Sequence, residues 1–393
     1  MKPIFPTLWS ATDELLLQKL ARPRDRQNVD PRPPVMCKRC VITNKRPRIV
    51  FDEEGICSAC RWAEEKDLID WQSREQELRD LLMFNDPHAA YDVVVPASGG
   101  KDSSHVAVAL RDLKQRVLLA RWHPLVATEI GEQNWQSLIH AGFDAVTGQP
   151  NGFLARKLAR LGLEFYGDPF LPFIYGQLCW PFHVAAQTGG RLVFFGENGE
   201  AEYGGDPAAN NKRGWGEDDW KRVYMKGADV NRLMDHGIDL GLISKSEAAN
   251  ASPFYSMPNG LRDAVQFHWF SYYRRWRPQE NFYTASKRAG FRPRADRTLG
   301  THSTYASLDD CLDHLHYFMG YVKFGIGRCT SDCAHEIRDG ELDRDDALSL
   351  IEQYDGEYPR QYMKLALEYL GMTEERFQEV CHAFKAPWVE LPF

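Results

Sequence analysis

The chain lacks the long apolar run that a membrane-spanning helix needs. No run of about 18 or more apolar residues occurs in its 393 residues, so we expect no transmembrane helix. The opening residues, Met1 to Pro6, also lack the apolar core of a signal peptide. Together these absences predict a cytoplasmic protein with no membrane partner.

The sequence also lacks an excess of basic residues. Its 48 Lys and Arg stand against 55 Asp and Glu, which gives a formal net charge of −7. Nucleic-acid-binding domains usually carry a basic excess, so no nucleic-acid partner is expected, although a local basic face remains compatible with this charge. With 43% hydrophobic and 26% charged residues, the composition is that of an ordinary globular protein with room for about two or three domains.

Four of the nine cysteines stand in two Cys-x-x-Cys pairs, Cys37 with Cys40 and Cys57 with Cys60. Residues 41–56 separate the pairs, which is zinc-ribbon spacing. Thiolates three residues apart on a tight turn can face one ion, and two such turns complete a tetrahedron. We therefore predict a structural zinc, because four protein ligands leave no open position for chemistry. An iron–sulfur cluster and free thiols are the alternatives.

A glycine-rich turn separates a predicted strand from a predicted helix. Val93 to Val95 is a β-branched run typical of a buried strand, and apolar residues recur at helical spacing from Lys101 to Leu113. Free N–H groups and the dipole at a helix start bind phosphate oxygens. Gly99 and Gly100 would let an anion approach the backbone without a Cβ clash.

The string Ser98-Gly-Gly-Lys-Asp-Ser103 resembles the PP-loop of ATP pyrophosphatases. It is not a Walker A loop, because Val95 and Asp102 replace the Gly and the Ser or Thr of that pattern. The resemblance implies an α/β fold with a doubly wound, mostly parallel sheet of the adenine nucleotide α hydrolase type. It also implies that the loop holds the β- and γ-phosphates while ATP is cut between α and β. A chance glycine-rich turn is the alternative.

The predicted phosphate contacts come from six consecutive residues, of which two are also catalytic candidates. Lys101 is placed to offset charge growing on the bridging oxygen. Asp102 either holds the loop by accepting local N–H bonds or helps to place Mg²⁺. The full set is Ser98, Gly99, Gly100, Lys101, Asp102 and Ser103.

Two further predicted strands bring candidates to the same edge of the sheet. The first, Arg116 to Trp122, leads into His123, and Trp122 and His123 are expected to line the adenosine site because ligands of doubly wound sheets bind at the carboxyl ends of strands. The second, Arg191 to Phe195, runs into an acidic, glycine-rich segment typical of a ligand loop.

This acidic segment supplies candidates for nucleotide, Mg²⁺ and substrate contacts. Glu197 or Glu202 is suited to Mg²⁺ through water, because hard cations prefer oxygen ligands. A solvated acidic turn is the alternative. The candidates are Gly196 for ATP, and Glu197, Asn198, Glu202 and Tyr203 for Mg²⁺ or substrate.

Cations beside glycines mark the C-terminal part of the chain. A predicted helix from Leu312 to Val322 precedes Lys323-Phe-Gly-Ile-Gly-Arg328, and Arg338 follows. Lys323 and Arg328 are catalytic candidates and Arg338 is a substrate candidate, because such cations suit neutralising a leaving pyrophosphate. Ordinary salt bridges at helix ends are the alternative.

Five segments are predicted along the chain. Residues 211–300 are expected to form an insertion that covers the active site, with helical pieces near 229–250 and 261–275. The segments are an extension and linker at 1–34, a four-cysteine zinc knuckle with a linking helix at 35–85, a nucleotide-binding α/β domain at 86–210, the insertion at 211–300, and a mostly helical region completing the active site at 301–393.

The combination of motifs resembles the N-acetyl sugar amidotransferases, the WbpG/PseA-like family of PP-loop synthetases. The resemblance implies conversion of the acetamido group of a nucleotide-linked sugar to an acetamidino group, for surface polysaccharide or flagellin. It also implies ATP, Mg²⁺ and structural Zn²⁺ as cofactors. The shared motifs, within residues 36–370, are the four cysteines, Ser98 to Ser103, Gly196 to Asn198, Glu202 to Gly205, Tyr305 to Asp310, Lys323 to Arg328, and Ile337-Arg338.

The cysteines offer no nucleophile for releasing ammonia from glutamine. Residue 2 is Lys2, and the surroundings of Cys179 read Gln-Leu-Cys-Trp rather than Gly-x-Cys-x-Gly. Cys329 and Cys333 are expected to be buried or free thiols rather than metal ligands. Ammonia should therefore come from solution or from a separate glutaminase, and the family implies a HisH-like subunit, with a HisF-like cyclase-type subunit as a further possible partner.

Two rival functions remain open at this point. A PP-loop enzyme that modifies tRNA, by thiolation or lysidine formation, also fits the loop and Cys-x-x-Cys pairs, but the acidic charge and the lack of a later catalytic Cys-x-x-Cys argue against it. A non-catalytic scaffold that keeps a zinc ribbon is the other. The intact Lys101, Asp102 and Ser103 argue against a scaffold.

Overall fold

The protein is built around a five-stranded sheet, seen in a computed structural model that describes residues 4–20, 31–83, 88–215, 230–256 and 265–393. Every neighbouring pair of strands is parallel, and the spatial order is β3-β2-β1-β4-β5. The strands are β1 Val93–Pro96, β2 Val117–Trp122, β3 Asp144–Gly148, β4 Leu192–Phe195 and β5 Gln266–Trp269.

Both faces of the three central strands are buried, which explains why β1, β2 and β4 are largely apolar. Side chains alternate between the faces of a strand, so Val94 enters one hydrophobic core while Val93 and Val95 enter another. Val106 and Leu110 contribute to the second core, and Leu158 contributes to the first. The α/β prediction with helices on both faces of a parallel sheet is confirmed.

The helices connect the strands and continue into a helical C-terminal region, as predicted. A short 3₁₀ helix also occurs at Pro207–Ala209. In the described residues the helices are α1 Ala11–Leu20, α2 Ser58–Asp67, α3 Trp71–Leu82, α4 Lys101–Asp112, α5 Glu129–His140, α6 Gly152–Tyr166, α7 Leu171–Thr188, α8 Gly199–Tyr203, α9 Val230–Asp239, α10 Lys245–Tyr255, α11 Phe270–Tyr273, α12 Pro278–Ala289, α13 Asp313–Phe324, α14 Arg328–Asp339, α15 Arg344–Tyr354, α16 Arg360–Leu370 and α17 Glu374–Phe384. None of these helices is both long and apolar enough to cross a membrane.

One predicted helical piece is wrong in part. The sequence predicts helix over residues 261–275, but Gln266–Trp269 is a parallel strand paired with β4, and only Phe270–Tyr273 is helical. Residues 257–264 lie outside the described residues. The strand has only four residues and mixes polar with aromatic side chains, so its sequence carries no two-residue alternation long enough to identify it.

The residues before the four-cysteine module pack against the far end of the chain. Leu8, Trp9 and Leu17 are buried in the same core as the C-terminal helices, and Trp9 Nε1 donates a hydrogen bond to the Leu370 carbonyl at 3.3 Å. The charged linker predicted at residues 22–34 lies mostly outside the described residues. Residues 4–20 therefore contribute to the main hydrophobic core.

Candidate active site and metal centre

The glycine-rich turn joins β1 to α4 in a geometry that requires glycine. Gly99 has φ of 90°, and a Cβ at this position would lie 2.6 Å from the backbone nitrogen of Trp135. Gly100 precedes α4 in an extended conformation, with φ of −67° and ψ of 161°. The first N–H groups of this 12-residue helix have no partners within the helix, so they face the turn as hydrogen-bond donors.

The turn lies where the strand order reverses. β1 sits between β2 and β4, and ligands of open parallel sheets bind outside the carboxyl ends of strands at such a reversal. A cavity of about 250 Å³ occupies this place. Its lining residues are Val95, Pro96, Ala97, Ser98, Gly100, Asp102, Ser103, Ala120, Trp122, Phe173, Gln177, Phe195, Gly196, Glu197 and Trp269.

Lys101 and Asp102 form an ion pair at the start of α4. Lys101 Nζ lies 2.5 Å from Asp102 Oδ2, and Asn281 Nδ2 donates to Asp102 Oδ1 at 2.9 Å. Ser103 Oγ donates to the Gly100 carbonyl at 3.2 Å. Asp102 is thus oriented by Lys101 and by Asn281 of α12, a residue that the sequence patterns did not single out.

Asp102 and Glu197 are two carboxylates of one cavity. Burial and the charge of Asp102 raise the pKa of Glu197 to about 7. Glu197 Oε1 also accepts a long hydrogen bond from the Tyr203 hydroxyl at 3.5 Å. A cation bound between the two carboxylates would relieve their repulsion.

The predicted ATP contacts outside the turn are divided between two cavities. Trp122 and Gly196 line the cavity at the turn, and a Cβ on Gly196 would lie 2.8 Å from the Trp276 ring. His123 instead lines a separate cavity with Phe5 and other residues, and its Nδ1 lies 2.8 Å from the Pro124 carbonyl. The structure therefore brings Trp122 and Gly196 to the cavity at the glycine-rich turn and leaves His123 outside that cavity.

Asn198, Glu202 and Arg338 are not among the residues that line the cavity at the turn. The buried Asn198 caps α8 by accepting from Glu200 N at 3.2 Å, and it donates to Ala209 O at 2.9 Å. Arg338 Nη2 donates to the Glu202 carbonyl at 2.8 Å. These hydrogen bonds hold the backbone of the acidic segment in position.

Glu202 forms a buried ion pair with Lys66 of α2, the helix that also carries Cys60. Glu202 Oε2 lies 2.7 Å from Lys66 Nζ and 3.5 Å from His335 Nε2, and the Glu202 and Lys66 side chains are 3% and 6% exposed. Burial opposes the charged form, but Lys66 and His335 outweigh it and lower the pKa of Glu202 to about 2. Together with His335, the pair joins three parts of the chain: α2, α8 and α14.

Replacement of Glu202 by Gln is expected to destabilise the fold. Lys66 would remain buried without its carboxylate, which typically costs about 3–5 kcal/mol. In wild type this contribution is present above the unfolded pKa of 4.5 and is lost as the pH falls toward the folded pKa of about 2. Urea unfolding at neutral and acidic pH measures both effects.

A matched control for this substitution is Glu53→Gln. Glu53 is exposed and lies in the four-cysteine module that also contains Lys66. Its replacement should therefore change the unfolding free energy by less than about 0.5 kcal/mol. If Glu202→Gln left stability unchanged but raised the Mg²⁺ concentration needed for activity, Glu202 would be a cation ligand instead.

The segment Tyr305 to Asp310 docks the C-terminal region against the turn. The fully buried Asp310 accepts backbone N–H groups from Leu125, Val126 and Leu312. Neighbouring residues of this segment form the wall of a second cavity of about 130 Å³, on the other side of the turn. It is lined by Ser98, Gly99, Gly100, Lys101, Asp102, Gly131, Asn134, Phe291, Tyr305, Ala306, Ser307, Leu308, Asp309 and Arg328.

Arg328 and Lys323 point into different cavities. Arg328 lines the small cavity beside the turn, pairs with Asp332 at 3.0 Å, and lies 4.3 Å from the centre of the Tyr317 ring. Lys323 lines another cavity and donates to the Tyr166 carbonyl at 3.2 Å. Of the two, Arg328 is the cation that shares a cavity with the glycine-rich turn.

The four cysteines of the N-terminal module converge as predicted. All four are fully buried, and their Sγ atoms lie within 4.8 Å of one another. The Sγ–Sγ distances are 4.0 Å for Cys37–Cys60 and 3.7 Å for Cys40–Cys57. These distances are close to the sulfur–sulfur distance of about 3.8 Å around a tetrahedral Zn²⁺ with Zn–S bonds of about 2.3 Å. The residues therefore fit a metal ion such as zinc.

This four-cysteine cluster also packs against the C-terminal helices. Arg344 of α15 donates to the carbonyls of Cys40 and Cys37 at 3.3 and 3.4 Å. Ile326 and Ala334 share the hydrophobic core that surrounds the cysteines. A metal held here would fix the position of the N-terminal module on the C-terminal region.

Residues 299–391 match the family model described as LPS biosynthesis protein WbpG-like, C-terminal domain. The C-terminal region is therefore similar to the C-terminal domain of WbpG-like proteins and is named the WbpG-like domain. The match covers the docking segment at Tyr305 to Asp310 and the cationic segment at Lys323 to Arg328, and it supports the resemblance to WbpG-like amidotransferases. No curated protein matches the chain.

A third cavity, of about 320 Å³, lies between the WbpG-like domain and the N-terminal module. Two arginines that the sequence patterns did not single out, Arg46 and Arg48, line it together with Lys323. Arg48 Nε donates to Glu200 Oε2 at 2.9 Å. Its full lining is Arg46, Pro47, Arg48, Asp168, Gly199, Glu200, Tyr203, Trp215, His316, Tyr317, Gly320, Lys323, Phe324, Ile326, Gly327 and Ser331.

Tyr203 links this third cavity with the cavity at the turn. Its ring lines the third cavity, while its hydroxyl lies 3.5 Å from Glu197, which lines the cavity at the turn. Glu197 and Tyr203 thus stand on the boundary between two cavities that lie close together.

Proposed function

We propose that the protein is an ATP-dependent amidotransferase that converts the acetamido group of a nucleotide-linked N-acetyl sugar to an acetamidino group, with AMP and pyrophosphate as products. One observation carries the proposal. A turn that requires glycine lies before a helix at the reversal of a parallel sheet and lines a cavity together with the WbpG-like domain, which is the geometry of anion-binding turns. The family description names lipopolysaccharide biosynthesis, which supports a sugar as the substrate class.

The adenosine of ATP belongs in the cavity at the sheet reversal. Trp122, Phe173 and Trp269 provide aromatic walls for a base, and Gln177 provides an amide for hydrogen bonding. From there the phosphates reach the free N–H groups of α4 and the hydroxyls of Ser98 and Ser103. Lys101 and Arg328, on the far side of the turn, offset the charge of the pyrophosphate as it leaves.

Mg²⁺ would be held by the two carboxylates of the same cavity. Asp102 and Glu197 both line it, and the raised pKa of Glu197 reflects two negative groups close together in a buried place. Bound there, Mg²⁺ would supply charge neutralisation for the phosphate oxygens. Asn281 keeps Asp102 oriented toward this position.

The nucleotide-linked sugar fits the third cavity. Arg46, Arg48 and Lys323 offer cations for the phosphate groups that join the sugar to its nucleotide. Tyr203 and Glu197, on the boundary, would hold the acetamido group next to the α-phosphate of ATP. Binding energy from the remote nucleotide would then position the poorly reactive amide.

The reaction follows from this placement. The amide oxygen attacks the α-phosphorus, the bond to the bridging oxygen breaks, and pyrophosphate leaves with that electron pair. The product is an imidate that carries AMP. Ammonia then attacks the imidate carbon, loses a proton, and displaces AMP to leave the amidine.

Ammonium, and not glutamine, is the nitrogen source expected for the purified chain. No cysteine stands in a glutaminase elbow, so glutamine should support turnover only after a separate HisH-like glutaminase is added. The measurement compares amidine formation with ammonium, with glutamine, and with glutamine plus the glutaminase. Comparable turnover with glutamine alone would contradict the prediction.

Mass spectrometry of candidate substrates tests the proposed function directly. UDP- and CMP-linked N-acetyl sugars are incubated with ATP, Mg²⁺ and ammonium, and the expected product differs by replacement of O with NH. Reactions without ATP and without ammonium are the controls. Consumption of ATP with tRNA, but with no nucleotide sugar, would favour the rival tRNA-modifying function.

A further inference from the structure

His302, Cys329 and Cys333 converge at a second site, apart from the four-cysteine cluster. The two thiols lie one turn apart on α14, with their Sγ atoms 3.8 Å from each other. His302 Nδ1 lies 3.7 Å from Cys329 Sγ and 3.9 Å from Cys333 Sγ. Both cysteines are fully buried free thiols.

These separations are those of a metal site. Zn–S bonds of about 2.3 Å and a Zn–N bond of about 2.0 Å, at tetrahedral angles, place two sulfurs about 3.8 Å apart and each sulfur about 3.6 Å from the nitrogen. The sulfur–sulfur distance here also matches those of the four-cysteine cluster, at 3.7 and 4.0 Å. The sequence spacing of Cys329 and Cys333 alone predicts thiols without a ligand role, because it gives no sign of His302.

Glu336 supplies the second feature of a metal site. His302 Nε2 lies 3.0 and 3.1 Å from the two carboxylate oxygens of Glu336. The carboxylate favours a proton on Nε2, which leaves the Nδ1 lone pair directed at the two sulfurs. Metal-bound histidines almost always donate their other N–H to such a group, which fixes both tautomer and ring orientation.

We propose that His302 Nδ1, Cys329 Sγ and Cys333 Sγ bind a second zinc ion, with a water in the fourth position. Thiolate and imidazole ligands select zinc among the common divalent ions. Two thiolates balance the charge of Zn²⁺ in a largely buried place, and their two protons are released on binding. Among the described residues, the group that could share this ion contains only these three side chains. The fourth ligand is therefore assigned to water.

The second zinc would connect α14, which carries Cys329 and Cys333, to the chain just before the docking segment. His302 lies just before Tyr305 to Asp309, which line the small cavity beside the glycine-rich turn. Cys329 directly follows Arg328, which lines the same small cavity. Existing contacts already connect the two segments, since Cys329 N donates to the Gly300 carbonyl at 3.0 Å and Thr301 Oγ1 donates to Asp332 at 2.8 Å.

Zinc content of the full-length protein tests the proposal. Wild type, reconstituted with Zn²⁺ alone and freed of loose metal, should hold two zinc ions per chain by elemental analysis and native mass spectrometry. The double variant Cys329→Ser/Cys333→Ser should keep only the zinc of the four-cysteine cluster. Cys37→Ser should lose that zinc and keep the second zinc. Cys381→Ala removes a buried cysteine that belongs to neither cluster, so it should keep both.

Two variants with intact thiols guard against misfolding of the double variant. Glu336→Gln should weaken zinc binding at this site by about 10–100-fold, measured by competition with a chromophoric chelator. His302→Gln, at a side chain 23% exposed, should remove the second zinc while circular dichroism stays unchanged. A wild type with one zinc, or a second zinc that survives His302→Gln with unchanged affinity, would overturn the proposal. The zinc count does not depend on whether the proposed reaction is right.

Discussion

Lys101→Ala should fold normally and keep the metal of its four-cysteine cluster while losing about 10²–10³-fold in turnover. The side chain stands at the start of α4, lines the small cavity beside the turn, and is paired with Asp102 at 2.5 Å. In the proposed reaction its charge matters most when pyrophosphate is leaving, so the loss should appear mainly in kcat. Steady-state kinetics with ATP and the nucleotide sugar measure the change.

The control for this variant is Lys364→Ala. Lys364 is an exposed lysine of α16 outside the three cavities around the turn, so its replacement should leave kcat within about twofold of wild type. Near wild-type turnover in Lys101→Ala would contradict the assignment of the turn. Equal losses in both variants would point to a general effect of removing positive charge.

Loss of the metal from the four-cysteine cluster is expected to produce the largest change in stability. Structural zinc sites contribute binding free energies on the order of 10 kcal/mol, and that energy is folding energy when the apo site is not formed. The cluster lies in a core shared with Ile326 and Ala334, so the effect should spread to the C-terminal helices. Cys57→Ser should therefore lower the thermal midpoint strongly and abolish turnover.

Elemental analysis and calorimetry with and without a chelator measure this effect. Chelation should lower the wild-type midpoint at least as far as Cys57→Ser does, because it also removes the second zinc proposed above, and added zinc should restore the wild-type midpoint but not that of the variant. Cys381→Ala, which leaves the cluster intact, is the matched control. Iron with a visible charge-transfer band, or stable protein without metal, would refute a structural zinc.

The central strands could be predicted from sequence because they are buried on both faces. β1, β2 and β4 are apolar runs, and the structure places them close to their predicted positions. β3 and β5 were not predicted. β3 reads Asp-Ala-Val-Thr-Gly and is mostly half-exposed at the sheet edge, so it has no continuous apolar run. Its strand conformation depends on pairing with β2, which is a tertiary contact.

The candidate site was predictable where consecutive residues carry it. The turn at Ser98 to Ser103 and the two Cys-x-x-Cys pairs are local patterns, and the structure forms a turn and a buried cluster there. Contributions from distant elements were missed, including Asn281 on Asp102 and Arg46 and Arg48 in the third cavity.

Glu202 is a residue whose local sequence pattern suggested a ligand contact that the structure does not favour. Its place in an acidic, glycine-rich segment predicted a Mg²⁺ or substrate contact, but the structure pairs it with Lys66. The sequence gives no sign of this contact because Lys66 lies in a distant segment, on the helix that also carries Cys60. Burial on both sides of the pair makes a structural role the better account.

Chromatography of the nucleotides after one complete reaction tests the central claim most directly. The protein is incubated with ATP, Mg²⁺, ammonium and the nucleotide-linked sugar, and nucleotides and phosphates are quantified against amidine formed. Attack of the amide oxygen on the α-phosphorus predicts one AMP and one pyrophosphate for each amidine. ADP and inorganic phosphate as the main products would contradict the account.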